Sequence, residues 1–190
     1  MSEIQANKLS PASGTALQVG DSGDTITIPS GATITNSGTA NGFGSGDNTP
    51  AFQSYMSSNQ SFSASTYTKV ALANEYYDTD NAYDTSTYRF TVPSGKGGKY
   101  LFYCMGDFDL GGNNSKYGNL RFMINGGTDQ QVGSGNVAFG GASNNSNGIT
   151  MTRTLTLNAG DYVELFGWQN NGTRNLWNPV FFGGHRLTGV

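Results

Sequence analysis

An all-β jelly-roll or sandwich domain, preceded by a short extended β arm, is what this sequence predicts, and three observations carry the prediction. Charged residues make up only 12% of the 190-residue chain, about half the usual share, while Gly, Ser, Thr and Asn abound and aromatics reach 12%. Apolar residues alternate in short runs, and Gly, Asn, Asp and Pro punctuate the runs. No stretch carries a helix period. Thr, Tyr, Phe and Val fit a pleated surface and Gly and Asn fit the turns between strands, so the composition favours strands over helices.

Residues 1–46 read as the arm. Leu17 and Val19, Ile26 and Ile28, and Ala32 and Ile34 form apolar pairs separated by the turn signals Asp21-Ser22-Gly23-Asp24 and Pro29-Ser30-Gly31. Each pair predicts a strand of about three or four residues. No such rung buries its apolar face within one chain, which is the situation in which β-solenoids and multi-chain prisms stack copies to make a core. Gly42 to Pro50 is unpatterned, and the domain boundary falls there, with the globular domain spanning 47–190. The GxGxG spacing in that stretch lacks the strand-then-helix context of a nucleotide loop.

Within the domain, Ile149 to Leu157 is the clearest strand. Ile149, Met151, Leu155 and Leu157 share one face and Thr150, Thr152, Thr154 and Thr156 the other, with Arg153 the one break. Tyr88-Arg89-Phe90-Thr91-Val92 alternates likewise and stops at Pro93. Tyr100 to Met105 is apolar at every position, which predicts a central strand covered on both faces. Gly160-Asp161 turns the chain into Tyr162 to Phe166.

The net charge of −3, with no run of Lys or Arg, leaves nothing to neutralise a phosphate backbone and sets nucleic acid aside as a partner. The opening Met1 to Asn7 has neither a basic nor an apolar signal region, and no run is long enough to span a bilayer. The expectation is a soluble chain made in a cytoplasm, without membrane insertion. The four Asn-x-Ser/Thr matches at Asn59, Asn113, Asn144 and Asn171 then have no route to glycosylation. Cys104 is alone and sits in an apolar run, which predicts a buried, inert thiol.

Catalytic chemistry finds few candidates. His185, the one histidine, has no nameable carboxylate or serine partner, so packing or an interface hydrogen bond is its expected role. Asp78, Asp80 and Asp84 space oxygen ligands as a calcium loop does, but without the Gly and distal Glu of an EF-hand. Ser94 to Lys99 and Gly133 to Ala138 imitate phosphate-binding patterns without a following helix, and the former predicts a hairpin turn. A depolymerase would need paired acidic residues in a groove, and the carboxylates here are few and scattered. The chain is expected to be no enzyme and to need no cofactor or metal.

Trp168 to Trp177 is the segment richest in binding chemistry, with Trp168, Asn170, Asn171, Arg174 and Trp177 close together. Aromatic faces beside amides suit a sugar ring, while Trp and Arg equally anchor protein interfaces, and both readings stand. Tyr117, with Asn113 and Asn114 in the Gly111 to Gly118 loop, is a further candidate of the same kind.

A set of short motifs carries a resemblance. Ala51-Phe52, Tyr67 with Lys69-Val70, Tyr83-Asp84, Tyr88-Arg89-Phe90-Thr91-Val92-Pro93, Gly98-Lys99-Tyr100-Leu101-Phe102, Asn125-Gly126, Leu157 with Gly160-Asp161, and Phe181-Phe182-Gly183-Gly184 resemble, in order, the globular head of complement component one-q. That head is a tumour-necrosis-factor-like jelly roll, and the resemblance implies a trimer. In the arm, Asn7-Lys8-Leu9-Ser10-Pro11 and Ser30-Gly31-Ala32-Thr33-Ile34 resemble tail-fibre and appendage proteins of marine bacteriophages. Together these imply a homotrimeric virion protein: a surface fibre, decoration or appendage held to capsid or tail through residues 1–46, with a share in host-surface adhesion. The alternative is a stand-alone glycan-binding, lectin-like module.

Overall fold

The computed structural model describes residues 8–38, 48–109, 111, 117–127, 132–138 and 146–187, giving only the backbone course of 132–138, 146 and 147. Two compact units, Met1–Ser45 and Gly46–Val190, divide the chain.

In the first unit the turns form as the sequence predicts and the strands do not. The Asp24 amide donates to the Asp21 carbonyl at 3.0 Å, the Asp21 amide to Asp24 Oδ2 at 2.8 Å, and the Ala32 amide to the Pro29 carbonyl at 3.1 Å. Residues 8–38 contain no strand. A two-residue apolar rung has no neighbouring strand in a single copy to take its backbone hydrogen bonds. Leu17, Val19, Ile26, Ile28 and Ile34 accordingly stay exposed. The unpatterned Gly42 to Asp47 lies outside the described residues.

The second unit is built of strands, and no helix occurs among its described residues. In chain order they are β1 (Ala51–Met56), β2 (Gln60–Phe62), β3 (Thr68–Lys69), β4 (Asn74–Asp78), β5 (Tyr83–Asp84), β6 (Arg89–Thr91), β7 (Gly98–Asp109), β8 (Tyr117–Ile124), β9 (Val132–Ala138), β10 (Ser146–Leu157), β11 (Tyr162–Gln169) and β12 (Arg174–Arg186). The first sheet runs β10-β7-β12-β1-β4, with β2 on β12; the second runs β5-β6-β11-β8-β9, with β3 on β11. All pairings are antiparallel.

The core lies between the sheets and is largely aromatic. Phe52 on β1 stacks on Phe90 of β6 at 4.7 Å between ring centroids and meets Phe182 of β12 edge-on at 5.0 Å. At the other end Phe62 and Phe108 meet edge-on at 5.2 Å. Gly167 makes room for both rings, because a Cβ there would stand 2.8 Å from Phe62 and 2.9 Å from Phe108. β10 keeps the predicted alternation, with Ile149, Met151, Leu155 and Leu157 inward and Thr150, Thr152, Thr154 and Thr156 exposed.

Two expectations are corrected. β7 is central in its sheet, between β10 and β12, but only Tyr100, Phe102, Cys104 and Phe108 enter the core. Leu101, Tyr103 and Met105 face outward, and Met105 is 42% exposed, because the second sheet covers one side of the first and no described residue of this unit covers Met105 on the other. The turn after Pro93 is no hairpin. The Lys96 amide donates to the Pro93 carbonyl at 3.1 Å, and the turn carries the chain from β6 in the second sheet to β7 in the first.

Candidate functional site

The outer face of the first sheet is an apolar and aromatic surface whose rungs follow from strand register. One rung aligns Tyr55 (β1), Phe181 (β12), Met105 (β7) and Thr150 (β10); the next aligns Gln53, Gly183, Tyr103 and Thr152; the third aligns Ala51, His185, Leu101 and Thr154. At the β4 edge Tyr76 stacks on Tyr55 at 4.5 Å and lies 6.0 Å from Phe181. Tyr76 and Tyr77 are 60% and 44% exposed. Gly183 matters here: a Cβ would stand 2.5 Å from the Tyr103 ring, so glycine lets that ring lie flat across β12. Burial raises the Tyr103 phenol pKa, and a hydrogen bond with Tyr77 raises it further. His185 thus sits in a rung with Ala51, Leu101 and Thr154 on this face.

The second sheet carries a different cluster on its outer side. Tyr117 and Trp168 approach to 5.2 Å and Trp168 and Tyr67 to 6.2 Å, while the Arg121 guanidinium lies 4.2 Å from the Tyr67 ring centroid. Asn119 and Arg121 are buried at the base of this cluster. Farther along, Glu164 accepts from Lys69 Nζ at 2.6 Å and from Arg89 at 3.0 Å, and Arg89 also lies 3.7 Å from the Tyr162 centroid. With its side chain 3% exposed, Glu164 is held by two cations, as a buried carboxylate must be.

The proposed Trp168 to Trp177 cluster separates on folding. Trp168 lies on β11 and Trp177 on β12, so the two indoles belong to different sheets. Buried Gln169 organises the turn between them: its Nε2 donates to the Phe62 and Gly172 carbonyls at 2.9 and 2.8 Å, and its Oε1 accepts from the Asn171 amide. In the sequence Gln169 is one amide among several in this segment, and no pattern marks its buried structural role. Asn170 joins the turn to Tyr117 through Tyr117 N–H to Oδ1 at 2.8 Å and Asn170 N–H to the Tyr117 carbonyl at 3.2 Å. Arg174 folds back, donating to the Asn171 carbonyl at 3.2 Å and lying against Gly111. Tyr117, Trp168 and Asn170 therefore come together, and Trp177 does not join them. Asn113, Asn114 and Asn144 lie outside the described residues.

The three aspartates of the supposed calcium loop act as local acceptors. Asp78 Oδ2 takes the Tyr83 amide at 2.8 Å and its Oδ1 the Asp80 amide at 3.3 Å; Asp80 takes the Thr79 hydroxyl at 2.6 Å. Asp84 takes the Ser86 and Thr87 hydroxyls at 2.7 and 2.8 Å, which holds its carboxyl down at about 2. Among the described residues, no three His, Cys, Asp or Glu side chains gather as a metal site. The Cys104 thiol is buried, and that burial pushes its pKa up to about 12.

The fold of the domain finds counterparts among solved structures. The globular domain of a zebrafish complement 1qA protein matches with a TM-score of 0.51 and 20% identity, covering 72% of this chain and 96% of that one. The domain is a jelly roll of this type. Murine APRIL matches equally, with a TM-score of 0.51 and 15% identity over 72% of this chain and 98% of its own. At these identities the likeness speaks for the jelly-roll fold alone. No protein-family model and no curated protein matches the sequence.

Proposed function

We propose that this chain is a non-enzymatic virion surface protein of a bacteriophage. It is a homotrimeric fibre, decoration or appendage, attached to capsid or tail through residues 1–46 and contributing to host-surface adhesion. The observation that carries the reading is the outer face of the first sheet, where Tyr55, Tyr103, Met105, Phe181 and Leu101 form a continuous apolar surface. Monomeric proteins rarely expose such a surface without a partner, and a closed set of copies covers it. The exposed apolar pairs of the arm ask for the same treatment from further copies or another virion protein.

The test has two measurements. Light scattering on the purified chain is expected to give the mass of a trimer. Quantitative mass spectrometry of purified virions is expected to find the chain in multiples of three; a large fraction of the capsid copy number assigns it to the head, and a handful of copies assigns it to a tail or vertex. Absence from the virion overturns the reading and leaves the second one, a free glycan-binding module. The Tyr67–Trp168–Tyr117 cluster with the Arg121 guanidinium favours that alternative, since aromatic faces and polar groups together suit a sugar.

A further inference from the structure

Arg121 on β8 is a buried cation that no anion of the fold answers. It is 9% exposed, and among the described residues its guanidinium meets the Tyr67 ring, at 4.2 Å, and no carboxylate. Arginine is seldom buried unless it is paired. The make-up of the second sheet explains the shortfall, for its strands carry three cations, Lys69, Arg89 and Arg121, against two carboxylates, Asp84 and Glu164. Glu164 accepts from both Lys69 and Arg89. Asp84, which register sets beside Arg89, accepts from Ser86 and Thr87 instead. The cross-strand neighbours of Arg121 are Phe166 on β11 and Ser134 on β9, and neither is acidic. One positive charge is left over.

The surroundings decide which ligand answers that charge. Nε of Arg121 is shut off from water without a partner, whereas Nη1 and Nη2 are not. A ligand therefore meets the Nη edge, and neither Nε nor the enclosed Oδ1 of Asn119 takes part. The Nη edge presents two parallel N–H donors, a fork that fits the two oxygens of a planar carboxylate. A cation is repelled here, and a neutral sugar leaves the charge unpaired. A phosphate dianion brings two charges to one free cation, because Lys69 and Arg89 are already held by Glu164. A carboxylate brings one. Beside the guanidinium, Trp168 lies 5.2 Å from Tyr117 and 6.2 Å from Tyr67, and Tyr117 is exposed. A bare carboxylate leaves these ring faces uncovered, while a sugar ring that carries the carboxylate sets its C–H face against them. The cluster lies on the outer side of the second sheet, so copies that associate through the first sheet leave it open.

We propose that Arg121, Trp168 and Tyr117 form a site for an acidic sugar, a pyranose ring that carries a carboxylate. The Nη edge of Arg121 donates to both carboxylate oxygens, the Tyr67 ring backs the guanidinium, and Trp168 and Tyr117 cover the C–H face of the sugar. The site gives the aromatic cluster a ligand class and rests on the glycan-adhesion part of the function proposed above, but it depends on neither the virion nor the trimer.

Calorimetric titration of the full chain compares the methyl glycosides of glucuronic acid and N-acetylneuraminic acid with methyl glucoside, acetate and inorganic phosphate. At least one acidic sugar is expected to bind, and methyl glucoside, acetate and phosphate are each expected to bind at least about tenfold more weakly. Arg121→Lys keeps the charge and removes the fork, and is expected to weaken binding of the acid about tenfold or more. Tyr117→Ser, at an exposed position, is expected to weaken it about threefold or more. Should Arg121→Lys not fold, as judged by its circular-dichroism melt, Tyr117→Ser and the ligand series decide. Silence with both acids overturns the proposal. Methyl glucoside binding as tightly as the acid overturns it too, because the charge then plays no part, and an equal affinity for acetate or phosphate reduces the site to one for bare anions. Undiminished binding by Tyr117→Ser or by folded Arg121→Lys is equally fatal. Mass spectrometry of virions reads the proposed function independently: a chain present in virions that binds neither acid keeps the structural role and loses the site, and a chain absent from virions that binds one keeps the site and loses the virion.

Discussion

Replacing Leu101 with lysine separates a surface that faces water from one that faces another copy. Leu101 is half-buried on the outer face of β7, in the rung with His185 and Thr154. In a free chain the lysine stem covers the same apolar neighbours and its ammonium reaches solvent, so the fold should lose no more than about 1 kcal/mol. In a trimer closed on this face, three ammonium groups leave water without partners. At about 3 kcal/mol for each, the assembly loses roughly 9 kcal/mol, or about six orders of magnitude in its association constant. Light scattering at micromolar protein should then show the wild type at roughly 60 kDa, three times the 20.1 kDa chain, and Leu101→Lys at the mass of one chain. A circular-dichroism melt checks that the variant is folded. A variant that keeps its mass refutes the argument, because the outer face would then be no interface.

Three further outcomes follow from the core and the loops. Phe52→Ala removes a fully buried ring that touches Phe90, Tyr83 and Phe182, and should cost about 3–5 kcal/mol, lowering the melting temperature by about 10 °C; a shift within error would mean that the aromatic cluster is not the core. Cys104, with burial pushing its thiol up to about 12, should resist Ellman's reagent at pH 8 until denaturant is added, and rapid labelling of the native chain would contradict its burial. Asp84 is lowered from 3.8 to about 2 by the hydroxyls of Ser86 and Thr87, so its stabilisation is present above the unfolded value and is lost as pH falls through the folded one. Urea melts of wild type and Asp84→Asn should therefore differ at neutral pH and converge between about pH 4 and pH 2; a constant difference would mean that the carboxylate charge plays no part.

The jelly roll was legible where period two met a single covering layer. Ile149 to Leu157 shows this, because one face meets core and the other meets water, and its Thr-rich side advertises the difference. Tyr100 to Met105 misled for the same reason. Leu101, Tyr103 and Met105 look like core in sequence, and alternation cannot tell a face covered by a second sheet from one that lies open in a single copy. The candidate site was harder still. Trp168 and Trp177 are close in sequence, yet the turn pinned by Gln169 sends β12 into the other sheet.

Among the described residues, the exposed apolar surface of the first sheet and that of the arm are of different kinds. On the first sheet it is preformed: Tyr55, Tyr103 and Phe181 are held by a ladder that is complete without a partner, so a second copy would find its surface already shaped. Among the described residues of the arm, 8–38, local turns form, at Asp21–Asp24 and Pro29–Ala32 among them, and the apolar pairs lack strands. A partner of the arm must therefore supply backbone hydrogen bonds as well as apolar cover, and binding must offset the ordering of each residue it fixes. The two surfaces suit different steps. The sheet face fits association of like copies in solution, where little ordering is required. On the proposed function, the arm fits attachment to a structure that already presents strands or many copies at once, so the copies would associate first and dock second.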